Sequence, residues 1–126
     1  MKNLFVIAAL VLAAASAARA EDNWQKMKDC AAQAEKLQKK HESAVGQLMK
    51  SSSHYSPKYN RCYLQEEYQI GVLTNIGLWD AFEDALLAAS NHVQGTKDVC
   101  TIYVGSAPAI APCDMIRDFI DGHMTN

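Results

Sequence analysis

The sequence predicts a small α+β domain closed by two disulfides. Three observations lead there: helical periodicity at both ends of the chain, short strand patterns between them, and an even number of cysteines. The chain opens with Lys2, runs through the apolar stretch Leu4 to Ala15, and reaches Ala18-Arg19-Ala20 ahead of Glu21. A cation, an apolar run and a small-x-small site form the pattern of a secretory leader over 1–20. The run is shorter than the roughly 20 apolar residues a membrane helix needs, and no later segment is apolar enough to span. The first cysteine is Cys30, too far from the expected cleavage point to serve as a lipid anchor. Residues 21–126 are therefore expected to form one exported domain. Lys2 and Arg19 leave with the leader, so the 12 basic residues fall to 10 against 14 acidic ones, a formal charge of −4. That balance argues against a nucleic-acid partner, which would favour a basic face.

From Asp22 to Met49 the apolar positions Trp24, Met27, Ala31, Ala34, Leu37, Ala44, Val45 and Leu48 recur at helical spacing. Asp22 with Gln25 resembles a capping box, and Glu35 with Lys39 is a favourable i,i+4 pair. Lys36, Lys39 and Lys40 read as a solvated face. Gly46 and Ser51-Ser52-Ser53 end the expected helix. In HYSPKYNRCY, Pro57 fixes its own backbone angle and holds Ser56 extended, while Asn60 favours a turn. Cys62, Leu64, Tyr68 and Ile70 then alternate with Tyr63, Gln65 and Glu67 as in a half-buried strand, with Glu66 a misfit on the inward face. Leu78 to Ala89 carries a helical stripe in Leu78, Phe82, Ala85, Leu86 and Ala89, yet it alternates poorly as a strand. Val99 to Val104 is β-branched and reads as a strand. Gly105 to Pro112, with two prolines, reads as a loop. Met115, Ile116, Phe119, Ile120 and Met124 mark a closing helix.

The stretches SHYSPKYNRCYL and LWDAFEDALLA resemble a family of small exported bacterial proteins that pair an HY-x-x-K-x-x-x-C turn with an L-x-DAFE segment. The resemblance implies an α+β fold in which the Asp-Ala-Phe-Glu segment is the second strand of a small antiparallel sheet. A glycine often follows that glutamate in the family; here Asp84 stands there, which keeps a helix over 78–89 as the alternative. No activity comes with the resemblance. The expected architecture is a three-stranded sheet, with strands near 60–70, 77–88 and 98–104, carrying an N-terminal and a C-terminal helix on one face. Within it Cys30–Cys62 and Cys100–Cys113 are the preferred bridges. Cys62–Cys100 with Cys30–Cys113 is the rival pairing.

Motifs for chemistry are missing. No C-x-x-C pair supports zinc, redox or haem attachment. His41, His54, His92 and His123 are dispersed, although His54 with Glu66 or Glu67 is a conceivable metal pair. No nucleophile elbow or phosphate-binding glycine loop occurs, and no cofactor is implied. Asp80, Glu83 and Asp84 are close enough to suggest acid–base carboxylates. The leading expectation is a non-enzymatic binding module outside the cytosol, with a protein of the cell envelope as its partner. Its expected surface is His54, Tyr55, Lys58, Tyr59, Arg61 and Tyr63. The alternative is a small hydrolase or metal-binding protein built on His54 with Asp80 or Glu83. A structural protein without a site is the third expectation.

Overall fold

Six antiparallel strands follow one another as hairpins between two helices. The computed structural model describes residues 2–44 and 46–125, with side chains from Arg19 onward. The elements are α1 (Lys2–Glu42), β1 (Gln47–Ser56), β2 (Arg61–Ile70), β3 (Leu73–Asp80), β4 (Ala85–Val93), β5 (Val99–Val104), β6 (Ala107–Ala111) and α2 (Cys113–Thr125). The sheet order is the chain order, β1-β2-β3-β4-β5-β6. The leader expected over 1–20 falls on residues whose side chains, through position 18, lie outside the described ones. Among the described residues no helix is long and apolar enough to cross a membrane.

The three-stranded expectation is corrected to six strands, and each correction has a physical reason. Strands near 60–70 and 98–104 appear as β2 and β5. The segment 77–88 is neither one strand nor a helix: it is the end of β3, a tight turn and the start of β4. Its leucines and alanines favour helix in isolation, but pairing on both sides overrides that preference. Asp84 makes the reversal, with φ at 51° in the left-handed region. Glycine enters that region freely and aspartate tolerates it, so this is a position at which glycine would also serve.

The two strands absent from the expectation are the sheet's edges. β1 is polar (QLMKSSSHYS) and β6 carries Pro108, so neither shows apolar alternation. Proline and lysine on an edge discourage further pairing, because proline lacks a donor and lysine resists burial. α1 also stops earlier than expected, at Glu42, so Leu48 and Met49 lie in β1. Val45 lies outside the described residues.

The helices cover opposite faces of the sheet, which corrects their expected placement on one face. Successive strand residues point to opposite sides. Cys62 and Leu64 of β2 pack with Cys30, Ala34 and Leu37 of α1. Tyr63 between them packs with Leu78, Ala88 and Ile116 and Ile120 of α2. On α1 the buried stripe is Cys30, Ala34, Leu37 and His41, while Trp24 and Met27 stand exposed.

Each helix is stapled to its own face. Cys30–Cys62 holds α1 to β2 and Cys100–Cys113 holds the start of α2 to β5, the preferred of the two pairings. Closing loops with sequence separations of 32 and 13 restricts the unfolded chain by about 4 and about 3 kcal/mol in the chain-entropy picture. Arg117 Nη2 also donates to Asp98 Oδ2 at 2.7 Å, and His92 Nδ1 lies 2.6 Å from Asp98 Oδ1. The His92 bond, with Arg117 beside it, holds the Asp98 carboxyl below its usual range.

Gly46 is the joint between α1 and β1. Its φ is 143°, and a Cβ there would lie 2.9 Å from Ile70 Cγ1 and 3.0 Å from the Gln69 carbonyl oxygen. Gly46→Ala is expected to lower stability by about 2 kcal/mol through backbone strain and this clash. Urea unfolding followed by circular dichroism checks it; an unchanged midpoint would contradict the close approach.

Candidate interaction surface

Two loops of the same design stand side by side at one end of the sheet. Residues 57–60 join β1 to β2, and residues 81–84 join β3 to β4. Each loop closes on a left-handed residue, Asn60 at φ 49° and Asp84 at φ 51°. The β2–β3 ladder pairs Tyr63 with Asp80, and the Ala81 amide donates to the Cys62 carbonyl at 2.7 Å. One step further along, that register sets Arg61 opposite Phe82.

The first loop is stiffened from within. Tyr55 is buried, and its hydroxyl donates to Asn60 Oδ1 at 2.8 Å. The second loop is organised by one carboxylate. Asp80 is 1 % exposed, and its Oδ1 accepts from the amides of Phe82 and Glu83 at 3.1 and 3.2 Å. Its Oδ2 accepts from Arg61 Nη1 at 2.7 Å. A buried charge is tolerated when it is paired and fully hydrogen-bonded, and here those same bonds fix the loop and the arginine together.

The six residues expected to form a surface therefore divide. Tyr55 and Tyr63 belong to the core, and His54 is half-buried on β1 opposite Tyr63. Lys58, Tyr59 and Arg61 remain outside, with Lys58 Nζ 4.9 Å from the Tyr59 ring centroid. α2 joins them through His123, whose ring lies 5.9 Å from Tyr59, 5.0 Å from Tyr63 and 4.1 Å from Phe119. Sequence reading missed His123 as a member of this end, whereas Phe82 was already grouped with the tyrosines as an aromatic that could meet a partner. Phe82 is exposed at the centre of the Asp80-initiated turn.

The sequence misfit Glu66 lies on the α1 face, 1 % exposed. His41, on the last turn of α1, meets it with Nδ1 2.6 Å from Oε2, and the Tyr68 hydroxyl donates to Oε1 at 3.2 Å. Trp79 closes the other side of the imidazole, ring centroids 4.3 Å apart. The network ties the end of α1 to β2, as the Cys30 bridge ties its middle. Taking one partner from this buried network leaves the other polar group without its hydrogen bond, a typical cost of about 1–3 kcal/mol.

The residues of the hydrolase and metal expectations do not converge. His54 and Asp80 flank Tyr63 across the ladder, so about 10 Å of sheet separates their backbones. Both oxygens of Asp80 are engaged. Glu66 points to the α1 face, whereas His54, paired with Tyr63, points to the α2 face. Glu83 sits on the exposed loop, and Glu67 of β2 pairs with Lys50, four positions along β1 from His54. Among the described residues no group of three or more His, Cys, Asp or Glu side chains is arranged to hold a metal ion. No known family, curated protein or solved structure matches the chain.

Burial and the neighbouring Glu66 carboxylate raise the Tyr68 phenol far above its ordinary value of 10.0, and burial raises Tyr63 as well. A group whose folded value is raised stabilises fully below its unfolded value and loses that contribution as the pH climbs through the folded one. Stability in urea should therefore fall as the pH passes about 10, and Tyr68→Phe should flatten that fall. An identical alkaline slope in Tyr68→Phe would contradict the burial of this phenol.

Proposed function

We propose that this chain is exported and works outside the cytosol as a binding module that holds a protein partner without catalysing a reaction. Two disulfides, in a chain where the described residues hold no free cysteine, support an oxidising compartment. The contact face is the sheet end formed by the loops 57–60 and 81–84. One observation carries the reading: two exposed aromatics, Tyr59 at 48 % and Phe82 at 42 %, stand on the two loops that adjoin Arg61, whose guanidinium is bound to the buried Asp80 carboxylate. Tyrosine, tryptophan and arginine dominate the energetics of protein interfaces. Side chains already ordered lose less entropy when a partner arrives. Lys58 beside Tyr59 and Glu83 beside Phe82 give the rim both signs of charge, which suits a polar surround to an apolar centre.

A photo-crosslinking residue placed at position 59 or 82 is expected to capture the same partner from the exported fraction of the producing cell. The same residue at Glu35, exposed on α1, should not. With that partner purified, Tyr59→Ala and Phe82→Ala should each weaken binding by about 2 kcal/mol, roughly thirtyfold. Capture from all three positions alike, or alanine variants that bind as the parent does, would refute this face.

A further inference from the structure

α1 covers β1 and β2 on its side of the sheet and α2 covers the opposite side, so among the described residues neither helix packs across the α1-side face of β4 and β5, although Lys40 of α1 reaches Asp84 at its edge. Two hollows lie along that gap and meet at Asp84, one of about 420 Å³ and one of about 430 Å³. Their linings differ. The hollow under α1 presents Gln33, Lys36 and Lys40; the hollow over the sheet presents Leu86, Tyr103 and Ser106.

We propose that this trough binds an amphipathic anion, a carboxylate carried on an apolar chain, with the carboxylate at Lys36 and Gln33 and the chain over Leu86 and Tyr103. Charge decides the orientation. Lys40 and Asp84 pair with each other across the junction, and Lys39 pairs with Glu35. Among the described residues no carboxylate lies within ion-pair distance of Lys36, so its ammonium is the uncompensated charge of the trough. The helix that carries the head site is anchored as well. Lys36 sits on the helix between Cys30, bridged to β2, and His41, paired with Glu66, so its backbone is held from both sides. Gly77 belongs to the same face, with Trp79 Nε1 and Leu86 Cδ1 at 3.0 and 3.4 Å from where a Cβ would stand. Trp79 therefore lies beside the apolar half of the trough and can report its occupancy.

The test is a fluorescence titration of the disulfide-intact chain carrying Trp24→Phe, so that Trp79 is the emitter. Dodecanoate, kept below its micellar concentration, is compared with dodecyltrimethylammonium and with acetate. Saturable binding of dodecanoate alone is expected. Lys36→Glu, an exposed change that leaves the fold intact by circular dichroism, should weaken it at least about tenfold, the scale of one charge-assisted hydrogen bond. Tyr59→Ala, at the partner-binding end, should leave it unchanged, which separates this site from that face. The proposal is overturned by equal binding of the cationic amphiphile, by no dodecanoate binding, by an unaltered Kd in Lys36→Glu, or by sedimentation showing this face closed by a second copy.

Discussion

Strand β2 is buried on both of its faces, and the rest of the molecule is arranged around that fact. Alternation sends Cys62, Leu64 and Glu66 toward α1 and sends Tyr63 toward α2. A lone antiparallel sheet would leave one of these sides wet, so two helices are needed. The cysteines follow the same rule, since Cys62 faces α1 and finds Cys30, whereas Cys100 faces α2 and finds Cys113. The rival pairing of Cys62 with Cys100 would have joined residues that point to opposite sides of the sheet.

Two buried carboxylates complete the packing where apolar side chains do not. Glu66 is matched by His41 and Tyr68, and Asp80 by Arg61 and the amides of its own loop. Both bind elements that are distant in sequence. Glu66 fixes where α1 ends, and Asp80 couples the 81–84 loop to the start of β2. The exposed end of the sheet inherits its order from these interior bonds, which makes Tyr59, Arg61 and Phe82 suited to a partner. One interior group stands outside this matching: the Ser56 hydroxyl is buried without a hydrogen-bond partner among the described residues.

What could be read from the sequence follows from the same physics. β2, β5 and α2 were legible because their burial is written as alternation or helical spacing. The edges β1 and β6 were not, because Ser51-Ser52-Ser53 and Pro108 are what an edge uses to remain an edge. Leu78 to Ala89 misled because leucine and alanine carry helical preference while Asp80 and Asp84 carry the turn, and tertiary pairing decided between them. At the candidate surface, Lys58, Tyr59 and Arg61, picked out by composition, are exposed. Tyr55 and Tyr63 are buried, and local clustering cannot tell a residue at a hairpin tip from one a step down the ladder. Glu66 stood out as a misfit, but its partner His41 lies 25 residues away, and nothing local links them.

Native-state hydrogen exchange is the measurement that bears most directly on β2 as the doubly covered centre. The amides of Cys62 to Tyr68 should be the slowest in the molecule and should open only with global unfolding, while β6 and the outer part of β1 exchange through local openings. Exchange in β2 as fast as in β6 would mean that one of its faces is open, and the placement of the two helices would be wrong.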